Sequence, residues 1–206
     1  HVTPDLEEIE KTSSLSNLRS LAVDCSLCDL CHHASRTVSG EGTTQAQILF
    51  VGEQPGDQED LQGRPFVGPA GQLFERALQE AGGNREQAWI SNAVKHFKFV
   101  RRGARRIHQK PDATDVKSCA PWITAERRIL QAKVTVLLGV TGASSVLGRP
   151  ITISRERSRY MTLDDGSTGI VTVHPSYLLR IPDEDSRTRE YTKFVADLRM
   201  AISALA

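Results

Sequence analysis

The chain has 206 residues, 39% hydrophobic and 25% charged, enough to bury a substantial core in one globular domain with peripheral additions. A formal net charge of +1 at pH 7 excludes a polyanion-binding mode spread over the whole surface, so any nucleic-acid contact must be local. No apolar run reaches membrane-spanning length and no export signal opens the chain, so no membrane partner is expected and a cytoplasmic setting is.

Residues 1–20 are polar and charged and are expected as a mobile tail or a first helix, ahead of a single domain over 21–206. Ile48–Val51 is a run of four apolar residues that stops on Gly52-Glu53-Gln54-Pro55-Gly56. This reads as a buried strand entering a tight turn, where Gly52 and Gly56 let a ligand approach the backbone and Pro55 stiffens the bend. An amphipathic helix follows near Pro69–Ala81, a strand near Ala88–Val94 and a helix near Thr114–Gln131. A strand at Val134–Val140, a short helix at Thr141–Leu147, an extended hairpin arm at Ile151–Leu163 and a strand at Gly169–Val173 come next. The last helix puts Tyr191, Phe194, Val195, Leu198, Ile202 and Leu205 on one stripe. Strands alternating with helices predict a three-layer α/β/α sandwich around a central, mostly parallel, four-stranded sheet.

In such a sheet ligands bind beyond the carboxyl ends of the strands. Glu53 leaves the first strand, Asn92 stands near the exit of the second, and His174-Pro175-Ser176 follows the last. An amide can donate and accept at once, as reading a pyrimidine edge requires, and a histidine can hydrogen-bond an oxygen that gains charge. Phe66, in the Gly63–Pro69 loop, offers a face on which a base can stack. Taken singly, Glu53 reads as a solvated turn carboxylate, Asn92 as a strand-end cap, His174 as a packed loop histidine and Phe66 as core. Together they point to one pocket. The first turn lacks Gly-x-Gly-x-x-Gly, which disfavours a dinucleotide site.

Lys95–Lys110 holds seven cations and no acid, a pattern that suits a phosphate-contacting loop with Arg105, Arg106 and Lys110, or simply a solvated charge run. The cysteines are Cys25, Cys28, Cys31 and Cys119; three of them fall within seven residues, which argues against a secreted disulfide framework. Cys25-x-x-Cys28 is a metal half-site with Cys119 far downstream, and Cys31 extends it to a ferredoxin-like spacing. Zinc and an iron–sulfur cluster both stay open on this chemistry.

The Gly52–Gly56 turn, the Gly63–Gly71 stretch, Asn92 and His174-Pro175-Ser176 resemble the uracil-DNA glycosylase superfamily, closest to its iron–sulfur family 4, over nearly the whole chain from Cys25. Family 4 enzymes usually have alanine where this chain has Gln54. With Arg105-Arg106-Ile107-His108, that departure resembles the UdgX-type branch, whose motif is Lys-Arg-Arg-Ile-His; Ala104 stands here in place of the lysine. The resemblance implies a 4Fe–4S cluster of structural role on Cys25, Cys28, His96 and Cys119. It implies uracil-containing DNA, single strands included, as partner, with uracil as released product and the chain acting as a monomer. Phe66 would stack on the flipped base, Asn92 would pair with its edge, and His174 would stabilise the leaving uracil, with Gly52 and Ser176 lining the same pocket. Glu53 would support the sugar cation or polarise the nucleophile, and His108, held by Gln54, would attack C1′ and stay bonded to it. An ordinary turnover glycosylase and a silent nucleic-acid-binding module are the alternatives. Leu178 and Leu179 are both candidates for a wedge filling the vacated stack.

Overall fold

The computed structural model describes residues 3–206; the first two residues of the expected tail lie outside the described residues. The tail region carries α1 (Leu6–Lys11) and most of α2 (Leu15–Ala22), capped by Asp5 and Ser14, whose side chains accept from backbone N–H groups of the first turn. Ile9, Leu15 and Leu18 are buried and bring both helices onto the domain body. A short 3₁₀ turn at Asp29–His32 leads to β1 (Glu41–Gly42) and then β2 (Ile48–Gly52), every residue of which is buried. Next come α3 (Asp57–Gln62), α4 (Pro69–Glu80) and β3 (Trp89–Asn92).

The basic stretch expected as a loop is instead a β-hairpin, β4 (Phe99–Arg102) and β5 (Arg105–His108), turning at Gly103, where φ is 63°. Its register pairs Phe99 with His108 and Arg101 with Arg106, so these four share one face while Val100, Arg102, Arg105 and Ile107 share the other. The chain continues through α5 (Ala113–Leu130), β6 (Val134–Leu138) and α6 (Gly139–Leu147). Ile151–Leu163 is not one extended arm: it holds α7 (Ile153–Glu156) and β7 (Tyr160–Thr162), which pairs with β8 (Thr168–Thr172) across a turn at Gly166. The chain ends with α8 (Pro175–Arg180) and α9 (Glu184–Ser203).

The sheet order is β1-β3-β2-β6-β8-β7. Its four central strands are parallel and are those expected from the sequence; the short edge strands β1 and β7 add one antiparallel pairing at each side. Alternation along the strands divides the core. Leu49, Val51, Leu137 and Val171 pack toward α1, α2, α5 and α6, whereas Ile48, Phe50, Val136 and Ile170 pack toward α4, α8 and α9. That is the three-layer sandwich, and it aims the exits of β2, β3, β6 and β8 at one edge. Among the described residues no helix is long and apolar enough to cross a membrane.

Candidate active site

Glu53 follows the last residue of β2 and meets two partners. Thr141 Oγ1, in the first turn of α6, donates to Glu53 Oε2 at 2.9 Å, and His108 Nε2 lies 2.9 Å from Oε1. The helix start can come this close because residue 142 is glycine: a Cβ there would lie 2.5 Å from the Val51 carbonyl oxygen. Burial pushes the Glu53 carboxyl up, but the hydrogen bonds from His108 and Thr141 and the nearby imidazoles outweigh it and hold the group below its ordinary value. A carboxylate is thus kept ionised, with a ring nitrogen against it.

His174 caps α8. The backbone N–H of Ser176 donates to His174 Nδ1 at 3.1 Å, and Ser176 Oγ lies 2.8 Å from the same nitrogen. Nδ1 therefore uses its lone pair, which leaves the proton of the neutral ring on Nε2. Burial pushes the imidazole down to about 4, so the neutral donor persists well below neutral pH.

Asn92, at the end of β3, is 2% exposed, and its Oδ1 has no hydrogen-bond partner. An orphaned buried amide oxygen is costly, so its presence in a cavity wall points to an absent ligand. The cavity measures about 360 Å³ and is lined by Glu53, Phe66, Asn92, His108 and His174 among others. Gly52 forms part of its surroundings by being small: a Cβ there would meet Phe66 Cζ at 2.5 Å and Asn92 Oδ1 at 2.6 Å. Phe66 is 6% exposed, has φ of 53°, and its ring faces His174 at 5.7 Å and 29°. A positive φ on a phenylalanine needs outside support. It comes from Arg85, which donates to the Phe66 carbonyl at 2.6 Å and to that of Pro65 at 2.5 Å.

Sequence reasoning missed Arg85, and it missed Glu59 and Thr141. Glu59 accepts from Gly56 N at 3.0 Å and from Val67 N at 2.9 Å, as well as from Gly68 N, and so ties the first turn to the Phe66 loop. The one signal available for it was its place three residues after a glycine that opens a helix. Arg85 and Thr141 carry no local signal.

His108 reaches Glu53 because the hairpin is pinned at its base. Buried Gln54 donates through Nε2 to the carbonyls of Lys98 (3.2 Å) and Gln109 (3.1 Å) and accepts from Lys98 N (2.8 Å), gripping both strands. Arg106, expected to face phosphate, is turned inward. It pairs with Asp60 at 2.6 Å and Asp57 at 2.7 Å and stacks over Phe97 and Phe99. Arg105 and Lys110 are exposed and make no ion pair or hydrogen bond among the described residues. Leu178 is fully buried and Leu179 is 46% exposed, which leaves only Leu179 free to act as a wedge.

No disulfide joins Cys25, Cys28, Cys31 or Cys119. His96 is 3% exposed, with Nδ1 4.0 Å from Cys28 Sγ and Nε2 2.9 Å from Thr37 Oγ1; burial pushes its pKa down to about 4. Cys119 is buried, which pushes its thiol up to about 12. Two N–H groups point at sulfur, Lys95 N to Cys119 at 3.2 Å and Trp122 Nε1 to Cys25 at 3.3 Å. Donors aimed at sulfur suit thiolates bound to iron. Cys31 is buried nearby, and burial followed by the Cys25 thiol pushes its pKa up. Among the described residues no three His, Cys, Asp or Glu side chains are already arranged to hold a metal ion. Just before this segment, Lys95 Nζ donates to the Asn92 carbonyl at 2.8 Å and contacts Glu126, joining the cysteine layer to the pocket.

Three curated proteins, each named Type-4 uracil-DNA glycosylase, are similar to this chain. That of Thermotoga maritima is 36% identical over 84% of this chain and 84% of its own length. That of Archaeoglobus fulgidus is 30% identical over 82% and 85%, and that of Sulfurisphaera tokodaii 36% over 61% and 54%. The family model described as uracil DNA glycosylase superfamily matches residues 39–199. The chain therefore belongs to the uracil-DNA glycosylase superfamily.

Proposed function

We propose that residues 21–206 form a uracil-DNA glycosylase domain that excises uracil and ends its reaction bonded through His108 to C1′ of the sugar. The names of its relatives support the excision. The observation that carries the covalent step is the 2.9 Å contact between His108 Nε2 and Glu53 Oε1 at the rim of the Asn92 cavity.

In this reading the deoxyuridine is flipped from its strand into the cavity, with Leu179 entering the space it leaves. The base lies against Phe66, and the Asn92 amide pairs with its edge, accepting from N3–H and donating to O4. As the glycosidic bond breaks, its electron pair passes to uracil N1, and the charge that spreads to O2 is met by the Nε2–H of His174. The sugar becomes cationic at C1′ beside the Glu53 carboxylate. His108 gives its Nε2 proton to Glu53 Oε1 and bonds to C1′ through that nitrogen. Release would require expulsion of an imidazole, which makes the product a dead end. Gln54 and Arg106 hold the hairpin in place, while Arg105 and Lys110 contact phosphates. Cys25, Cys28, His96 and Cys119 would hold a 4Fe–4S cluster, which supplies a structural cross-link between the N-terminal segment and the domain.

The test is incubation with a uracil-containing single-stranded oligonucleotide, followed by a denaturing gel and intact-mass analysis. A stable adduct weighing the protein plus the oligonucleotide less uracil is expected. In His108→Ala it should vanish while abasic DNA still forms. Abasic product with no adduct from the unaltered chain would mean an ordinary turnover glycosylase, and intact DNA would mean a binding module.

A further inference from the structure

The base cavity is not the larger recess at this edge. Across a wall made by Glu53, His108, His174, Ser176 and Arg180 lies a second cavity of about 590 Å³, opening beside the first. Excision of one base, as described above, leaves it without an occupant. Its lining is mostly apolar: Val140, Ile153, Val173 and Tyr177 face it. Two of these leave much of their surface open to solvent, Val140 at 38% and Tyr177 at 43%. The cations around it divide by role. Arg157 is held by Asp197 at 3.0 Å and Glu190 at 2.9 Å and serves as wall. Lys110 and Arg180 also line it and make no hydrogen bond or ion pair among the described residues. An aromatic face with apolar neighbours, flanked by unpaired cations, is the composition that takes a nucleobase with its phosphates.

We propose that this second cavity receives the base of the nucleotide next to the deoxyuridine in the same strand, stacked on Tyr177 with its phosphates between Lys110 and Arg180. This rests on the glycosylase reading and deepens it. The shared wall carries the reacting groups, so C1′ sits at the divide with one base on each side. A neighbour that enters a recess has left its own stack and pair, so the preferred substrate is single-stranded or locally open DNA.

The test measures uracil release and adduct formation on single-stranded oligonucleotides whose 5′ or 3′ neighbour keeps its phosphates but carries a base-less tetrahydrofuran. Loss of the base on one side, and not the other, is expected to slow reaction at subsaturating DNA by roughly 5- to 150-fold, the usual worth of a base–aromatic stack. Tyr177→Ala should show a similar loss on intact DNA and no further loss on the base-less DNA, and Tyr177→Phe should restore the difference. Equal rates whichever neighbour lacks its base would overturn the proposal, as would a Tyr177→Ala enzyme in which the neighbour effect persists. No uracil release from any oligonucleotide would sink the glycosylase reading itself, and this inference with it.

Discussion

The two halves of the candidate site are built in opposite ways. The base cavity is part of the core: Asn92 ends a fully buried strand, Phe66 is braced by Arg85, and Gly52 is flush beneath both. The hairpin that brings His108 is a two-stranded ribbon with largely exposed strands, and His108 itself is 47% exposed. An isolated ribbon of this size has little stability of its own. It owes its position to the polar grip of Gln54 and to the ion pairs and ring contacts of Arg106. In the function proposed above, recognition is thus fixed by packing and delivery of the nitrogen by a few hydrogen bonds, so the two should fail separately.

The sharpest way to separate them is Asn92→Ala. It should lower uracil release by about 10²–10³-fold, the effect of removing one preorganised polar contact, and adduct formation should fall with it. A single-turnover assay of both products checks this; unchanged release would mean the cavity does not read the base. Gln54→Ala comes next. It removes an amide that satisfies three backbone groups and should slow adduct formation by about 5- to 150-fold, from roughly 1–3 kcal/mol, while sparing uracil release. A parallel loss of both activities would show that the arm also shapes the base cavity.

The smallest expected effect is on pH. His174 is held at about 4 and Glu53 below its ordinary value, so in the folded site neither group changes charge near pH 6.5. The factor by which His174→Ala slows single-turnover uracil release should therefore stay constant through pH 6.5 and shrink only as pH falls toward about 4. The sign for stability is the same. An unfolded His174 takes up a proton near 6.5 that the folded ring refuses, so its contribution is complete above 6.5 and is lost progressively as pH falls to about 4. An inflection in that factor near 6.5 would mean that the active form of His174 is charged.

The cavity was more legible in sequence than the arm, for a physical reason. An apolar run ending in Gly52-Glu53 and the exit at Asn92 are local patterns whose meaning follows from the parallel sheet. The ribbon over 99–108 sets its arginines in adjacent pairs rather than alternating them with apolar residues, and its turn is marked by Gly103 alone, so it reads as a basic loop. Arg106 could not be told from Arg105 by charge. What distinguishes them is register, which turns residue 106 toward Asp60 and residue 105 away. The contacts of Arg85 and Thr141, and that of Glu59 with the Phe66 loop, join different elements or distant segments, and nothing beside them in the chain announces the pairing.

At the root of the ribbon, the N–H of Gln109 donates to the carbonyl of Lys98 at 3.0 Å. The two ends of the arm are already adjacent, so a splice from Lys98 to Gln109 needs almost no new chain to close it. Such a shortened polypeptide would keep every residue of the base-reading wall except His108, and with it the sheet, both cores and the cysteine layer. In the function proposed above, crosslinking thereby belongs to a detachable insert on an excision scaffold, and its removal leaves one group in the fold beneath to be satisfied anew, the buried Asp60 carboxylate that Arg106 pairs with.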